Sequence, residues 1–280
     1  MRCQWQSIFG VLPLWIRQEA DKHCLEDIEE LRLRLGTKPL ICSANHHWEL
    51  SRNVAQEDLQ HIINVASQYS LWAASTVSKG YLTLSGGHRI GIAGDIIIKN
   101  GTITGVRWVS SLCIRIAKDL PGIAKGIPLH GSVLVIGSPG SGKTTLLRDI
   151  IRTRSDSGMG NVCVIDERCE IFPVTQERFC FCPGTHTDVV SGCSKQAGLE
   201  IAIRSMGPQT VAVDEITAQD DCEALIQAGW CGVDILATAH AGCRKELFAR
   251  PVYKPLLEMK LFDTLVILNR DKSYHTERMT

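Results

Sequence analysis

The sequence predicts an α/β fold: a domain built on a parallel sheet, preceded by a smaller α+β domain. In the second half of the chain, short apolar runs alternate with helical segments, which is typical of parallel strands joined by helices. In the first part, short strand patterns are clustered and separated by glycine pairs. Residues 121–130 are rich in proline and glycine. We therefore expect domains at 1–120 and 131–280, with 121–130 as a linker.

The composition is that of an ordinary globular protein. Of 280 residues, 44% are hydrophobic and 21% are charged, which excludes a disordered, collagen-like or coiled-coil chain. Thirty basic residues balance thirty acidic ones, so net charge does not favour nucleic acid or an anionic membrane as a partner. The apolar runs are much shorter than the roughly 20 residues of a membrane-spanning helix. We expect a cytoplasmic protein without a membrane span.

Twelve cysteines occur without any CxxC pair. Disulfide frameworks belong to small secreted domains, and zinc sites need spacings that this chain lacks. Several cysteines lie within apolar runs, where a free thiol packs as a small hydrophobe. We therefore expect reduced structural thiols; a metal cluster around Cys180, Cys182 and Cys193 is the alternative.

Hydrophobic periodicity predicts the elements of the first part. We interpret the apolar N-terminal segment as a core helix, and the spacing over 54–69 as an amphipathic helix. The segment 25–36 begins with helical spacing and changes to the two-residue period of a strand. Asn100-Gly101 is a strong signal for a hairpin turn. The further strands predicted here are 39–42, 81–84, 89–93 and 95–98, with Gly94 between the last two.

The second part alternates strands with helices, and this order indicates a mostly parallel sheet covered on both faces. The predicted strands are 132–136, 162–165, 210–213, 234–238 and 264–268. The predicted helices are 142–152, 195–205 and 220–230.

A phosphate-binding motif lies between the first strand and the first helix of this part. Gly137-Ser-Pro-Gly-Ser-Gly-Lys-Thr144 matches G-x-x-x-x-G-K-[ST] at every required position. Glycines let successive N–H groups turn toward phosphate oxygens, and the following helix points its positive end at the same anion. Lys143 supplies charge to the β and γ phosphates, and Thr144 offers a hydroxyl to Mg²⁺. We therefore expect a nucleoside triphosphate to be bound by Gly137, Ser138, Pro139, Gly140, Ser141, Gly142, Lys143, Thr144 and Thr145.

A later apolar strand ends in two carboxylates, Asp214 and Glu215. At the end of the strand, Asp214 can reach the Mg²⁺ shell, and Glu215 can polarise a water for in-line attack. Glu167, which ends the neighbouring strand pattern with Asp166, is the next candidate for the base. A solvated acidic turn is the alternative interpretation of the two carboxylates.

These strands resemble those of the RecA-like group of P-loop ATPases. An additional strand comes between the phosphate-loop strand and the strand of Asp214, and Glu215 follows the metal-binding Asp. The next strand ends at Thr238 and His240, at an edge where ligand sites form. The resemblance implies a residue there that senses the γ-phosphate, and His240 is the candidate. The segment after Asp214 lacks the switch glycine of GTPases, which favours ATP.

The order of several blocks resembles one family closely. SLCIRIAKDLPG, the phosphate loop, VIDERCEI, THTDVVSGCSKQAG, IRSMGPQTVAVDEI and ATAHA run in the order found in the stage III sporulation protein AA family. That family is similar to the type II and type IV secretion ATPases. The resemblance implies a two-domain protomer that assembles as a hexamer. It also implies a place at the cytoplasmic face of a membrane channel complex between mother cell and forespore.

The resemblance also implies roles for single residues. Asp166-Glu167 is similar to the Asp box of secretion ATPases, and Ala239-His240 is similar to their His box. Hydrolysis between subunits requires an arginine that reaches the nucleotide in trans. The candidates, which the sequence does not rank, are Arg89, Arg107, Arg115 and Arg204.

Three functions are compatible with these motifs. The leading hypothesis is an oligomeric ATPase that drives or gates a secretion-like machine. A nucleic-acid-remodelling ATPase is the alternative, although the tryptophans are not interleaved with basic clusters as single-strand binding requires. A nucleotide-gated scaffold with negligible turnover is the third.

Overall fold

The computed structural model describes residues 4–22, 28–43, 46–68, 80–84, 86–99, 102–175 and 178–279. The chain divides into two compact units. Unit 1 comprises Met1–Lys118 and Pro173–Phe181, and unit 2 comprises Asp119–Phe172 and Cys182–Thr280. The expected domain limits of 1–120 and 131–280 place Pro173–Phe181 in the second domain, whereas the structure groups this segment with unit 1.

Unit 1 is built on a six-stranded antiparallel sheet in the order β3-β2-β1-β6-β5-β4. Its strands are β1 (Ile28–Arg34), β2 (Leu40–Ser43), β3 (His47–Glu49), β4 (Tyr81–Thr83), β5 (Arg89–Lys99) and β6 (Thr102–Arg115). Its helices are a 3-10 helix (Gln4–Val11), α1 (Leu14–Asp21) and α2 (Gln56–Gln68). The short strands β9 (Val174–Thr175) and β10 (Arg178–Phe179) pair with each other.

One face of this sheet is the core of unit 1. Leu31, Leu33 and Ile114 on this face are fully buried, together with Leu59 and Ile62 of α2. The alternation of buried leucines with arginines in β1 follows the two-residue period of a strand, as the sequence predicts. Burying one face of the sheet under the helices therefore organises this unit.

The strand and helix predictions for this part are confirmed in type, apart from a few differences. Residues 28–30, expected in the helical beginning of the segment 25–36, belong to the strand β1. The N-terminal helix is two helices, because Pro13 separates the 3-10 helix from α1. Strands 89–93 and 95–98 form one strand, β5, with a bulge at Gly94. The short strands β3, β9 and β10 of unit 1 were not predicted from the sequence. Residues 25–27, Tyr69 and the predicted hairpin turn at Asn100-Gly101 lie outside the described residues.

Unit 2 is built on a seven-stranded sheet in the order β11-β8-β12-β13-β7-β14-β15, parallel except for β15. Its strands are β7 (Val133–Gly137), β8 (Val162–Asp166), β11 (Thr187–Ser191), β12 (Thr210–Ile216), β13 (Asp234–His240), β14 (Thr264–Leu268) and β15 (Tyr274–Arg278). Its α-helices are α3 (Lys143–Asp156), α4 (Lys195–Ile201), α5 (Gln219–Trp230), α6 (Arg244–Ala249) and α7 (Lys254–Glu258). A π-helix (Ala202–Met206) continues α4, and a 3-10 helix (Pro251–Tyr253) precedes α7.

In unit 2, β7, β8 and β14 are buried along their whole length, and β12 and β13 along most of theirs, as is expected of strands covered on both faces. Every second residue of these strands faces one core, in which Ile136 of β7 and Val213 of β12 lie together with Leu225 of α5. All five predicted strands and all three predicted helices are present, although β11, β15, α6 and α7 were not predicted from the sequence.

In space β13 separates β7 from β12, and β8 lies on the outer side of β12. Among the residues described, no helix is long and apolar enough to span a bilayer.

The segment expected as a linker, 121–130, is held on unit 2 by α3. The Asp149 carboxylate accepts the N–H groups of Gly122 and Ala124 at 3.0 and 2.8 Å. The Tyr274 hydroxyl donates to the carbonyls of Ile123 and Lys125. This segment is therefore fixed both to α3, the helix that follows the phosphate-loop motif, and to β15.

Candidate functional site

Most of the predicted site residues of unit 2 gather at one edge of its sheet, although Arg204 does not. The strands β7, β8, β12 and β13 are parallel, so their carboxyl ends lie on the same side. Gly137 ends β7, His240 ends β13, and Asp214 with Glu215 lies near the end of β12. Such an edge, outside the carboxyl ends of the strands, is where open α/β sheets bind ligands.

The loop between β7 and α3 is shaped by its glycines. Gly140 and Gly142 have φ angles of 74° and 101°, in the left-handed region, which glycine adopts without a steric penalty. A Cβ on Gly137 would lie 3.1 Å from the carbonyl oxygen of Leu268, so a larger residue would displace the loop. The Ser141 hydroxyl is buried without a hydrogen-bond partner. A buried polar group of this kind needs a ligand or a water.

Lys143 is the first residue of α3, and its ammonium is saturated by three acceptors. It donates to the carbonyls of Gly137 and Ser138 and to Nδ1 of His240, each at 3.0 Å. Burial lowers the pKa of Lys143, while the negative charges of Asp214 and Glu215 raise it. The ammonium thus lies at the centre of the site, close to both carboxylates.

Two hydroxyl groups hold the Asp214 carboxylate. Thr144 Oγ1 donates to one oxygen at 2.6 Å, and Thr238 Oγ1 donates to the other at 2.5 Å. Thr144 belongs to the first turn of α3, as does Thr145. The carboxylate and the Thr144 hydroxyl are hard oxygen donors, the type that Mg²⁺ prefers.

Glu215 accepts a hydrogen bond at each carboxylate oxygen. His240 Nε2 lies 2.7 Å from Oε1, and Arg168 donates to Oε2 at 2.5 Å. Because an ammonium only donates, Nδ1 of His240 must accept from Lys143, so Nε2 carries the proton. Glu215 has a φ of 51°, which is uncommon for a residue with a Cβ, and its N–H donates to Thr238. The side chains therefore form a chain of contacts from Lys143 through His240 to Glu215 and Arg168.

Asp166 and Glu167 do not join this chain of contacts. The Asp166 carboxylate is buried and accepts the N–H groups of Glu170, Ile171 and Phe172 at 2.8 to 3.0 Å. Burial raises the pKa of Asp166 to about 6, against the N–H groups that lower it. Glu167 instead pairs with the buried Lys195 at 2.6 Å. Asp166 thus organises a loop, and Glu167 anchors α4.

The candidate arginines lie in different surroundings. Arg115 ends β6 in unit 1 and is exposed. Arg204 lies in the π-helix of unit 2 and pairs with Glu200 at 2.8 Å on the surface. In unit 1, Arg89 stacks on the ring of Tyr81, and Arg107 pairs with Asp95 at 3.4 Å.

Sequence reasoning missed three residues that shape the site. Arg168 contacts Glu215 directly, Lys195 holds Glu167, and Arg148 of α3 donates to the carbonyls of Glu170 and Ile171. The only signal for Arg168 is its position within the Asp-Glu-Arg block. Arg148 and Lys195 lie inside helices, where a basic residue gives no sign that its side chain turns inward.

The described cysteines form no disulfide, and Cys42, Cys163 and Cys222 are buried. No group of three or more His, Cys, Asp or Glu side chains that could hold a metal occurs in the described part of the chain, which includes Cys180, Cys182 and Cys193. Cys3 and Cys24 lie outside the described residues.

The sequence profile of the family described as sporulation stage III, protein AA, matches residues 3–278. The chain belongs to this family. It is 36% identical over 262 residues to stage III sporulation protein AA of Bacillus subtilis (strain 168), covering 88% of this chain and 84% of that protein. A more distant relative is the SEEDLING PLASTID DEVELOPMENT 1 protein of Arabidopsis thaliana. It is 27% identical, and the match covers 90% of this chain but only 36% of the plant protein.

Solved structures show the fold of this family member. The pilus retraction motor PilT with bound ADP matches with a TM-score of 0.61 at 15% identity, over 91% of this chain and 78% of that one. The ATPase DotB of Legionella pneumophila matches with a TM-score of 0.57 at 15% identity, over 94% of this chain and 78% of that one. The chain therefore shares the fold of PilT and DotB, an α/β domain with a mainly parallel sheet preceded by a smaller N-terminal domain, as the sequence predicts.

Proposed function

We propose that this protein binds and hydrolyses ATP at the edge formed by β7, β12 and β13. The observation that carries the proposal is the convergence of Lys143, Asp214, Glu215 and His240 on the glycine loop. These groups come from separate parts of the sequence, and they include a cation, hard oxygen donors and a candidate base. PilT with bound ADP and the ATPase DotB share the fold, which supports the same chemistry.

The loop residues are suited to hold the phosphates. Gly140 and Gly142 turn the backbone without steric cost, and the Ser141 hydroxyl is a buried donor without a partner. The N-terminus of α3 supplies partial positive charge. The Lys143 ammonium would exchange its carbonyl acceptors for phosphate oxygens, which bind a cation more strongly.

Thr144 and Asp214 would hold Mg²⁺. A carboxylate, a hydroxyl and the phosphates of the substrate are the usual ligands of this ion. When bound, Mg²⁺ neutralises the charge that develops on the phosphates during transfer. Thr238 keeps the Asp214 carboxylate in place through its second oxygen.

Glu215 would take a proton from the attacking water, and His240 would orient Glu215. Glu215 is one residue beyond Asp214, and Nε2 of His240 lies 2.7 Å from Oε1 of Glu215. Glu167 is the less suitable base, because its carboxylate is paired at 2.6 Å with the buried Lys195 and does not join the contacts that link Glu215 to Lys143.

We further propose an oligomer, a hexamer by analogy with secretion ATPases, in which Arg115 or Arg204 reaches the nucleotide of a neighbouring subunit. Both side chains are exposed, so both are accessible to a second chain. The membership of the sporulation stage III AA family supports a role in endospore formation. We propose that the protein lies at the cytoplasmic face of a membrane channel complex and powers or gates passage from mother cell to forespore.

Phosphate release and nucleotide binding test the assignment. We expect Lys143→Ala to weaken binding of ATP by roughly 10–100-fold, because a hydrogen bond to a charged group contributes about 1.5–3 kcal/mol. We expect Glu215→Gln to keep binding and to lower turnover by about 10²–10⁴, the usual contribution of a positioned base. Lys254→Ala, which breaks only the exposed pair with Glu258 on α7, is the control.

Normal turnover by Glu215→Gln would reject Glu215 as the base and direct attention to Glu167. Binding without turnover by the unaltered protein would favour a nucleotide-gated scaffold. Stimulation by single-stranded nucleic acid that is lost as salt rises would favour a nucleic-acid-remodelling enzyme.

A further inference from the structure

We propose that Arg168 restrains Glu215, and that the Arg168–Glu215 pair must open before Glu215 can activate water. The inference rests on the proposed function, because it concerns the same carboxylate. Arg168 would then be a positioning residue that sets how often the site becomes reactive.

Both oxygens of the Glu215 carboxylate already contact donors of the protein. Oε1 lies against His240 Nε2, and Oε2 accepts from Arg168 at 2.5 Å. A general base has to be within hydrogen-bond reach of the proton that it removes. Each carboxylate oxygen can accept more than one hydrogen bond, but a guanidinium held at Oε2 occupies an approach to this oxygen and competes with the attacking water for it.

Of the two contacts that Glu215 makes, with His240 and with Arg168, the one with Arg168 opens more easily. The His240 ring is held on its other side by Lys143 at 3.0 Å. The Arg168 side chain is 53% exposed, compared with 30% for His240. Exposed ion pairs contribute little, because water solvates both partners when they separate. The Arg168 contact is therefore the one that opens at lower cost.

The loop that carries Arg168 is held in place from Asp166, at the end of β8, to Phe172. The Asp166 carboxylate accepts three N–H groups of this loop, and the buried Arg148 donates to two of its carbonyls. Cys169, next to Arg168, has a φ of 54°. Opening of the pair consequently needs only a change of side-chain rotamer at Arg168, without unfolding of the loop.

The first test measures steady-state phosphate release by Arg168→Ala and Arg168→Lys. We expect Arg168→Ala to raise kcat about two- to fivefold, the range of a half-exposed ion pair, with KM for ATP unchanged. Arg168→Lys, which keeps the charge, should stay close to the unaltered protein. Arg244→Ala removes a comparable pair with Glu277 and is the control that should leave turnover unchanged.

An unchanged or lower kcat in Arg168→Ala would overturn the proposal. A fall toward the Glu215→Gln rate would show that Arg168 assists the reaction. If the unaltered protein neither binds ATP nor releases phosphate, the proposed function itself fails, which differs from an active protein that Arg168→Ala does not accelerate.

The second test follows the contact without relying on turnover. Tm is measured for the unaltered protein, Arg168→Ala, Glu215→Gln and the double variant, with and without Mg²⁺ and a non-hydrolysable ATP analogue. We expect non-additive Tm shifts without the analogue, because the two side chains interact, and additive shifts with it. Coupling that persists unchanged with bound analogue, or that is absent in both conditions, would contradict the restraint.

Discussion

His88 lies fully buried in unit 1 with both ring nitrogens engaged. Nδ1 accepts the N–H of Ala117 at 3.1 Å, so Nε2 carries the proton and faces the Ser7 hydroxyl at 2.5 Å. Burial lowers the pKa of His88 to about 4. The ring therefore connects three distant segments of unit 1 only in its neutral form.

The neutral state of His88 makes the stability of unit 1 depend on pH. The unfolded side chain binds a proton near its ordinary pKa of 6.5, and the folded one only near 4. The free energy of unfolding should thus fall as the pH is lowered from about 6.5 to 4, by up to about 3 kcal/mol. Urea unfolding, followed by tryptophan fluorescence at several pH values, measures this loss, since five of the six tryptophans belong to unit 1.

His88→Gln should remove most of this acid sensitivity while lowering stability at neutral pH. His275→Gln, at a site where the side chain is 53% exposed, should change neither. An equal loss of stability in acid with and without His88 would refute the explanation.

At the scale of the element, β5 shows how one glycine decides between two strands and one. A bulge separates Ala93 from Gly94, where β6 has an additional residue. A Cβ on Gly94 would overlap the carbonyl of Trp108 and lie 2.9 Å from Cα of Val109. Glycine at position 94 therefore permits the close approach of β5 and β6. In the sequence, the same glycine suggests that one strand ends and another begins.

This close approach predicts a difference between two glycines of the same pair of strands. Gly94→Ala should lower the free energy of unfolding by about 2–3 kcal/mol, because the added methyl group has to displace backbone atoms. Gly105→Ala in β6 has no atom within 4 Å of the new Cβ and should have little effect. Equal stabilities of the two variants in urea would show that the strands can separate at Gly94 without cost.

At the scale of the whole molecule, the proposed function depends on assembly into an oligomer. In the proposed assembly, the exposed Arg115 or Arg204 of one chain reaches the nucleotide of its neighbour. Membership of the sporulation stage III AA family and the shared fold with PilT and DotB support such an assembly. Each chain would then contribute its own glycine loop and an arginine for its neighbour.

The elution volume of the pure protein tests this assembly. We expect Mg²⁺ and a non-hydrolysable ATP analogue to shift it from a smaller species to about six chains, because bound nucleotide adds contacts between subunits. Lys143→Ala, which weakens nucleotide binding, should not respond. A single chain at every nucleotide concentration would rule out the oligomeric mechanism, although not hydrolysis by each chain.

The local motifs could be identified from the sequence because their information is contiguous. The glycine loop, Lys143 and Thr144 adjoin one strand and one helix, so their placement follows from local conformation. The β14 strand, an uninterrupted apolar run, was predicted at its observed bounds. The continuity of β5 was not predicted, because it depends on the approach of Trp108 and Val109 of β6, 14 and 15 residues beyond Gly94 along the chain.

By itself, the sequence determined the α/β class, the order along the chain of five of the seven strands in the sheet of unit 2, and the nature of the loop after β7. Only the tertiary structure decided that Arg168 pairs with Glu215, that His240 bridges Glu215 to Lys143, and that Glu167 is engaged by Lys195. The physical reason is sequence separation. Backbone conformation and burial of a strand depend on neighbours along the chain, whereas the partner of a charged side chain depends on which distant elements the fold brings within 3 Å.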